Sequence, residues 1–210
     1  MGRLLLGPQD LDDIALAISR DGWTFRDGAL PAELTRDLAA ELERLAAAER
    51  LKPAAVGRGE RRRIRRDIRS DLIHWLSPER SAAEAEFLAA MEELRAELNA
   101  RLFLGLFELE AHFALYPEGS FYRRHLDSFR AGKNRILSVV YYLNPGWRRE
   151  DGGILRLWDE KGEPCGEVLP EAGRLILFLS AAIPHEVMPT RRPRASIACW
   201  FRAAPMGGIL

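Results

Sequence analysis

The runs ELEAHFALY (Glu108–Tyr116), RILSVVYYLN (Arg135–Asn144), GGILRLW (Gly152–Trp158), GRLILFLS (Gly173–Ser180) and ASIACWFR (Ala195–Arg202) are short and rich in Val, Ile, Leu and aromatic residues. Turn formers separate them: PEGS (Pro117–Ser120), NPGW (Asn144–Trp147), EDGG (Glu150–Gly153) and KGEP (Lys161–Pro164). Short strands with turn signals at this spacing predict a sandwich or barrel from about residue 107 onward.

The chain before them has a different period. In residues 9–20, Leu11, Ile14, Ala15 and Ile18 fall on one helical face. A short extended piece, Gly22–Phe25, follows. Pro31 then opens a second helix at its first position, with Leu34, Leu38, Leu42 and Leu45 as its apolar stripe. A third helix is predicted over about 80–104, carrying Phe87, Leu88, Met91, Leu94 and Leu98. Helices first and strands afterwards give an α+β class, with helices on one face of a β core. At 210 residues the chain suits one well-packed domain. Residues 1–106 would be helical support with a mobile loop at about 54–71, and 107–210 the core.

Composition narrows the function. The 31 basic and 31 acidic residues cancel, so there is no global attraction to nucleic acid or an anionic membrane. No apolar run approaches the roughly 18 residues of a membrane span, and the N-terminus does not read as a signal peptide. Cys165 and Cys199 form no paired framework, which suggests a reducing, cytoplasmic setting. The segment 54–70 holds seven arginines between Arg58 and Arg69. It reads as a solvated loop, as a loop that recruits an acidic or peptide partner or, least of the three, as a nucleic-acid contact.

Chemistry concentrates on the histidines His74, His112, His125 and His185. In an extended segment His125 and Asp127 point to the same side and can grip one metal ion together. His185, from a distant strand, would complete a two-histidine, one-carboxylate set that suits Fe(II) and leaves three positions open on one face. Arg194 follows His185 by nine residues. An arginine there could hold the far carboxylate of a dicarboxylic co-substrate through a bidentate fork. The alternative for these four residues is a metal-free buried polar cluster. His112 shares strand parity with Tyr116 and is expected near the pocket without ligating metal. His74 is expected to be structural and Cys199 a core residue. Tyr141 and Tyr142 alternate faces, so only one of them points inward.

The segments DIRSDLIHW, YPEGSFYRRHLD, RILSVVYYLN, DGGILRLW and PHEVMPTRRPRASIACWF resemble the prolyl-hydroxylase branch of the Fe(II)/2-oxoglutarate oxygenases. The similarity is to the hypoxia-inducible-factor prolyl hydroxylases of animals and, more closely, to their bacterial relatives. It covers about residues 67–76 and 112–202 with specific motifs. The resemblance implies a double-stranded β-helix (jelly roll) with N-terminal supporting helices, in a single oxygenase domain. It implies Fe(II) as metal, with 2-oxoglutarate and O2 as co-substrates and ascorbate as a reductant. His125, Asp127 and His185 match the metal ligands. Arg194 matches the 2-oxoglutarate clamp, Tyr142 its hydrogen-bonding partner, and Tyr116, Leu155 and Trp200 the co-substrate pocket. Tyr142 would then be the inward tyrosine. Arg69, Asp71, Trp75, Tyr122 and Arg135 match the peptide-binding mouth, where Asp71 and Arg135 are expected to form an ion pair. Ala198 departs from relatives with threonine there, and so does the run Arg61–Arg66. The implied activity is 4-hydroxylation of a proline in a protein, with elongation factor Tu as a candidate partner. The same chemistry on a small molecule or a non-proline residue, and a non-enzymatic cupin-like metal sensor, are the competing readings.

Overall fold

Alternation along the last long strand organises the molecule, whose computed structural model describes residues 4–55, 63–128 and 135–204. Ala195, Ile197, Cys199 and Phe201 face a layer of helices, while Arg194, Ser196, Ala198 and Trp200 face the other way, between two sheets. The helices are α1 (Pro8–Asp21), α2 (Ala32–Ala47) and α3 (Ala82–Leu102). The strands are β1 (Trp23–Asp27), β2 (Lys52–Pro53), β3 (Leu72–Trp75), β4 (Leu106–Tyr116), β5 (Tyr122–His125), β6 (Arg135–Tyr142), β7 (Leu155–Trp158), β8 (Pro164–Val168), β9 (Arg174–Leu179), β10 (His185–Val187) and β11 (Arg194–Ala203).

One sheet has the order β1-β9-β6-β11-β4-β3-β2, and a second has the order β5-β10-β7-β8. All the strand pairings described are antiparallel. The strand runs predict such a sandwich, and its jelly-roll form is the one the family resemblance implies. The larger core packs α1, α2 and α3 on one face of the large sheet, with Leu38, Phe87, Leu94, Phe113, Leu177 and Phe201 almost wholly buried. A second core, including Leu155, Leu157, Ile176 and Phe178, fills the space between the sheets.

The tyrosine pair shows why both cores are needed. Tyr141 lies in the helix-side core, where its hydroxyl meets Thr35 Oγ1 of α2 at 2.6 Å. Tyr142 lies between the sheets. Both are fully buried. One points to the helices and the other to the site, so burial is shared while inward orientation is not.

Three details differ from the sequence reading. Pro31 is the N-cap of α2, not its first helical residue. Its ψ of 139° is extended, and its carbonyl accepts the first helical bond, from Thr35 N. The N-terminal half also contributes β2 and β3, two and four residues long, too short to show a period. They widen the large sheet beside β4. Finally, the described end of the arginine-rich segment is attached to β5: Arg123 N donates to Ile68 O, Ser70 N donates to Phe121 O, and Arg69 bridges Tyr122. Arg58, Arg61 and Arg62, with Gly57 and Gly59, lie outside the described residues. Among the described residues no helix is long and apolar enough to cross a membrane.

Candidate metal centre and carboxylate pocket

β5 and β10 are neighbours, and their register places His125 opposite His185. Asp127 follows two residues after His125. The ligand atoms of His125, Asp127 and His185 all lie within 4.8 Å of one another. Nε2 of His125 is 3.5 Å from Asp127 Oδ1, and Nε2 of His185 is 3.7 Å from Oδ2.

Each imidazole is oriented for ligation. Nδ1 of His125 is 2.8 Å from Arg123 O, and Nδ1 of His185 is 3.2 Å from Ile183 O. A carbonyl at Nδ1 takes the ring proton there and turns the Nε2 lone pair toward the cluster. Burial first, and then the neighbouring His125, push His185 down to about 4. Burial works to raise Asp127, but His185 and His125 outweigh it and hold the carboxyl well below its usual value. Tyr122 stacks on His125 with centroids 3.6 Å apart, and Phe178 lies 4.5 Å from His185. Two imidazole nitrogens, one carboxylate and a confined wall fit a divalent transition metal with open positions.

Beside this cluster lies a buried cation. Arg194 is 2% exposed. Its Nε donates to Gly153 O at 2.8 Å, its Nη1 is 3.4 Å from Ser196 Oγ, and its guanidinium carbon sits 5.0 Å from the ring centres of both Tyr116 and Tyr142. Among the described residues no carboxylate pairs with it. Among the described residues the buried Tyr142 hydroxyl also has no hydrogen-bond partner. A buried guanidinium without its anion is costly. The Arg194 fork and the Tyr142 hydroxyl together are shaped for a carboxylate. Leu155 and Tyr116 line the same inter-sheet core.

The close packing at Gly153 explains the DGG string. Gly153 has φ +62°, and a Cβ there would lie 2.9 Å from Arg194 Cδ and 3.1 Å from Thr190 Oγ1. Only glycine lets the backbone carbonyl approach the guanidinium this closely.

Trp200 is more than a pocket wall. Its Nε1 donates to Asp127 Oδ2 at 2.9 Å. Ser138, not anticipated from the sequence, donates to the same oxygen at 2.7 Å. Its signal was a hydroxyl at an inward position of the apolar run RILSVVYY.

The residues expected at a peptide-binding mouth pair differently from expectation. Asp71 binds Arg69, with Nε–Oδ1 at 2.7 Å and Nη2–Oδ2 at 2.5 Å. Arg135 binds Glu110 and covers the Trp200 ring at 3.6 Å. The expected Asp71–Arg135 pair is therefore not formed. Arg69 is two residues from Asp71 on extended chain, so both side chains point the same way. Arg69 also covers the Tyr122 ring at 4.3 Å. Trp75 is 44% exposed and meets His112 edge-on, and His112 in turn packs against Trp200. His112 is buried outside the ligand cluster. His74 Nδ1 is 3.0 Å from Arg50 O, outside the site, and Cys199 is buried in the helix-side core. Of the described arginines in the run, Arg63, Arg65 and Arg66 are exposed, and Arg65 pairs with Asp67.

Fold and site thus define a jelly-roll protein with a two-histidine, one-carboxylate cluster beside a buried carboxylate clamp. Residues 111–202 match the 2OG-Fe(II) oxygenase superfamily. A crystal structure of a Pseudomonas putida prolyl-4-hydroxylase is 45% identical, covers 92% of this chain and 99% of its own, and superposes with a TM-score of 0.83. The Trichoplax adhaerens prolyl hydroxylase, solved with a hypoxia-inducible-factor peptide fragment, is 25% identical, covers 92% of this chain and 91% of its own, and has a TM-score of 0.82. The human Egl nine homolog 1 is 32% identical over 145 residues, which are 65% of this chain and 33% of that protein. The chain spans between 28% and 60% of the length of the curated relatives it matches. The chain belongs to the 2OG-Fe(II) oxygenase superfamily.

Proposed function

We propose that this protein is an Fe(II)- and 2-oxoglutarate-dependent prolyl 4-hydroxylase acting on a proline within a protein. The carrying observation is Arg194, buried between two tyrosines, with no carboxylate partner among the described residues and the orphaned Tyr142 hydroxyl nearby. A protein that only stores or senses metal has no use for such a clamp. The 45% identity to the P. putida prolyl-4-hydroxylase supports proline as the target.

His125, Asp127 and His185 would hold Fe(II). Arg194 and Tyr142 would bind the far carboxylate of 2-oxoglutarate, and Tyr116, Leu155 and Trp200 would wall its pocket. When bound, iron with 2-oxoglutarate and O2 supplies the oxidation that hydroxylates a C–H bond and releases succinate and CO2. The chain's own residues bind, orient and exclude water, and none is needed as a separate acid or base. Tyr122 under Arg69, Asp71 on Arg69, Arg135 over Trp200 and Trp75 against His112 would form the peptide-binding mouth. Elongation factor Tu is the candidate partner, in a cytoplasmic setting, with ascorbate keeping the iron reduced.

The test is mass spectrometry of purified elongation factor Tu and of a bacterial lysate, each incubated with the protein, Fe(II), 2-oxoglutarate and ascorbate. One added oxygen on a specific proline, lost in Arg194→Ala, is the expected result. Oxygen added only to other residues or to small molecules would overturn prolyl hydroxylation.

A further inference from the structure

The two oxygens of Asp127 are not equivalent. Oδ2 accepts from Ser138 Oγ at 2.7 Å and from Trp200 Nε1 at 2.9 Å. Ser138 and Trp200 are direct register partners across β6 and β11, so the ladder aims both donors at one atom. Each donor is itself held. Ser138 Oγ lies 2.8 Å from Ser180 Oγ, and both serines are buried. The Trp200 ring is covered by Arg135, which is anchored on Glu110.

A carboxylate oxygen offers about two lone-pair directions, and two donors on Oδ2 use both. Oδ1 lies 3.5 Å from His125 Nε2 and Oδ2 lies 3.7 Å from His185 Nε2, but it is Oδ2 that carries the Ser138 and Trp200 donors. The geometry points to Ser138 and Trp200 as positioning residues that make Asp127 a one-oxygen ligand, so that a bound metal keeps three open positions instead of two. The inference rests on the metal reading proposed above. Loss of either donor would loosen the hold on Oδ2 and favour its chelation, and the co-substrate would then have to displace it.

Co(II) alone serves as the metal probe, because its visible absorption reports coordination number. 2-Oxoglutarate is then titrated into the Co(II)-loaded full chain under anaerobic conditions. In Ser138→Ala and Trp200→Phe, Co(II) should bind at least as tightly as in the wild type, with a spectrum of higher coordination. 2-Oxoglutarate affinity should fall, because the co-substrate must first displace Oδ2. Ser138→Thr, which keeps the hydroxyl, should restore the wild-type spectrum. Merely structural support would instead weaken Co(II) binding and leave the coordination number alone, and that result overturns the inference. Unchanged 2-oxoglutarate affinity in Ser138→Ala also overturns it. Should Trp200→Phe fail to fold, the Ser138 variants decide the matter. A wild-type chain that binds no Co(II) would remove the metal reading itself.

Discussion

His125 on β5 and His185 on β10 sit directly opposite each other across an antiparallel ladder, with ring centroids 4.3 Å apart. A sheet backbone therefore sets the spacing of two ligating nitrogens, which is more precise than a loop would allow. His125→Ala, His185→Ala or Asp127→Ala should weaken Fe(II) binding by more than about tenfold, the lower range for losing even a supporting residue. Unfolding temperature should stay close to the wild type, because the larger, helix-side core does not include the cluster. Fe(II) titration and succinate release check this, and unchanged values in any of the three variants would rule out the assignment.

Arg194→Ala should raise the 2-oxoglutarate requirement strongly, because a carboxylate buried without its fork loses roughly 2–5 kcal/mol. Lysine should rescue only in part, since a point charge cannot make the planar double contact. The check is succinate release against 2-oxoglutarate concentration. Wild-type dependence in Arg194→Ala would place the clamp elsewhere.

Gly153→Ala adds a Cβ at 2.9 Å from Arg194 Cδ, at a backbone φ of +62°. Both the crowding and the left-handed conformation oppose alanine. The expected outcome is a higher KM for 2-oxoglutarate with kcat less affected, because the clamp moves while the metal cluster does not. Equal KM values for variant and wild type would show that the carbonyl contact does not position Arg194.

Much of this architecture was legible because period-two alternation is a strong signal in long strands. Tyr141 and Tyr142 separate cleanly onto two faces, and the leucine stripe of α2 meets the helix-side core as read. Other features lacked such a signal. β2 and β3 are too short to show any alternation. Pro31 looks the same as N-cap or as first helical residue until its ψ is known. The Asp71–Arg135 expectation failed because parity tells which way a side chain points, not which cation is nearest across space. Ser138 passed unnoticed because one hydroxyl among apolar residues has no motif until Asp127 is seen beside it.

His112 gives the fold a sensitivity to acid. It is buried between Trp75 and Trp200, and burial first, then the Arg69 cation, push its imidazole down to about 4 from 6.5. Between those values the unfolded chain takes up a proton that the folded chain refuses. Stability is therefore complete above 6.5 and is lost as pH falls toward about 4, by about 3 kcal/mol for this group. His185 shifts in the same direction, so the His112→Met variant should show a shallower acid slope, not a flat one. Thermal unfolding across this range checks it, and an unchanged slope would show that His112 is not the responsible group.

The Arg69–Asp71 pair links the end of the arginine-rich segment to the metal cluster. The Asp71 side chain is fully buried and Arg69 nearly so, and they meet through two contacts. Arg69 lies on Tyr122, and Tyr122 stacks on His125. Asp71→Ala would leave a buried guanidinium uncompensated, which costs roughly 3–5 kcal/mol. Changing both residues to apolar ones of similar volume should recover most of that loss, because no unpaired charge remains. The partner is identified by two double-mutant cycles read from denaturant unfolding. Asp71 with Arg69 should show strong coupling, and Asp71 with Arg135 should be additive within about 0.5 kcal/mol. Protein-substrate turnover should fall in Asp71→Ala more than substrate-free 2-oxoglutarate decay, because Tyr122 is loosened at the mouth while Arg194 is untouched. Strong coupling between Asp71 and Arg135 in solution would overturn this pairing and make Arg135 the anchor of the segment.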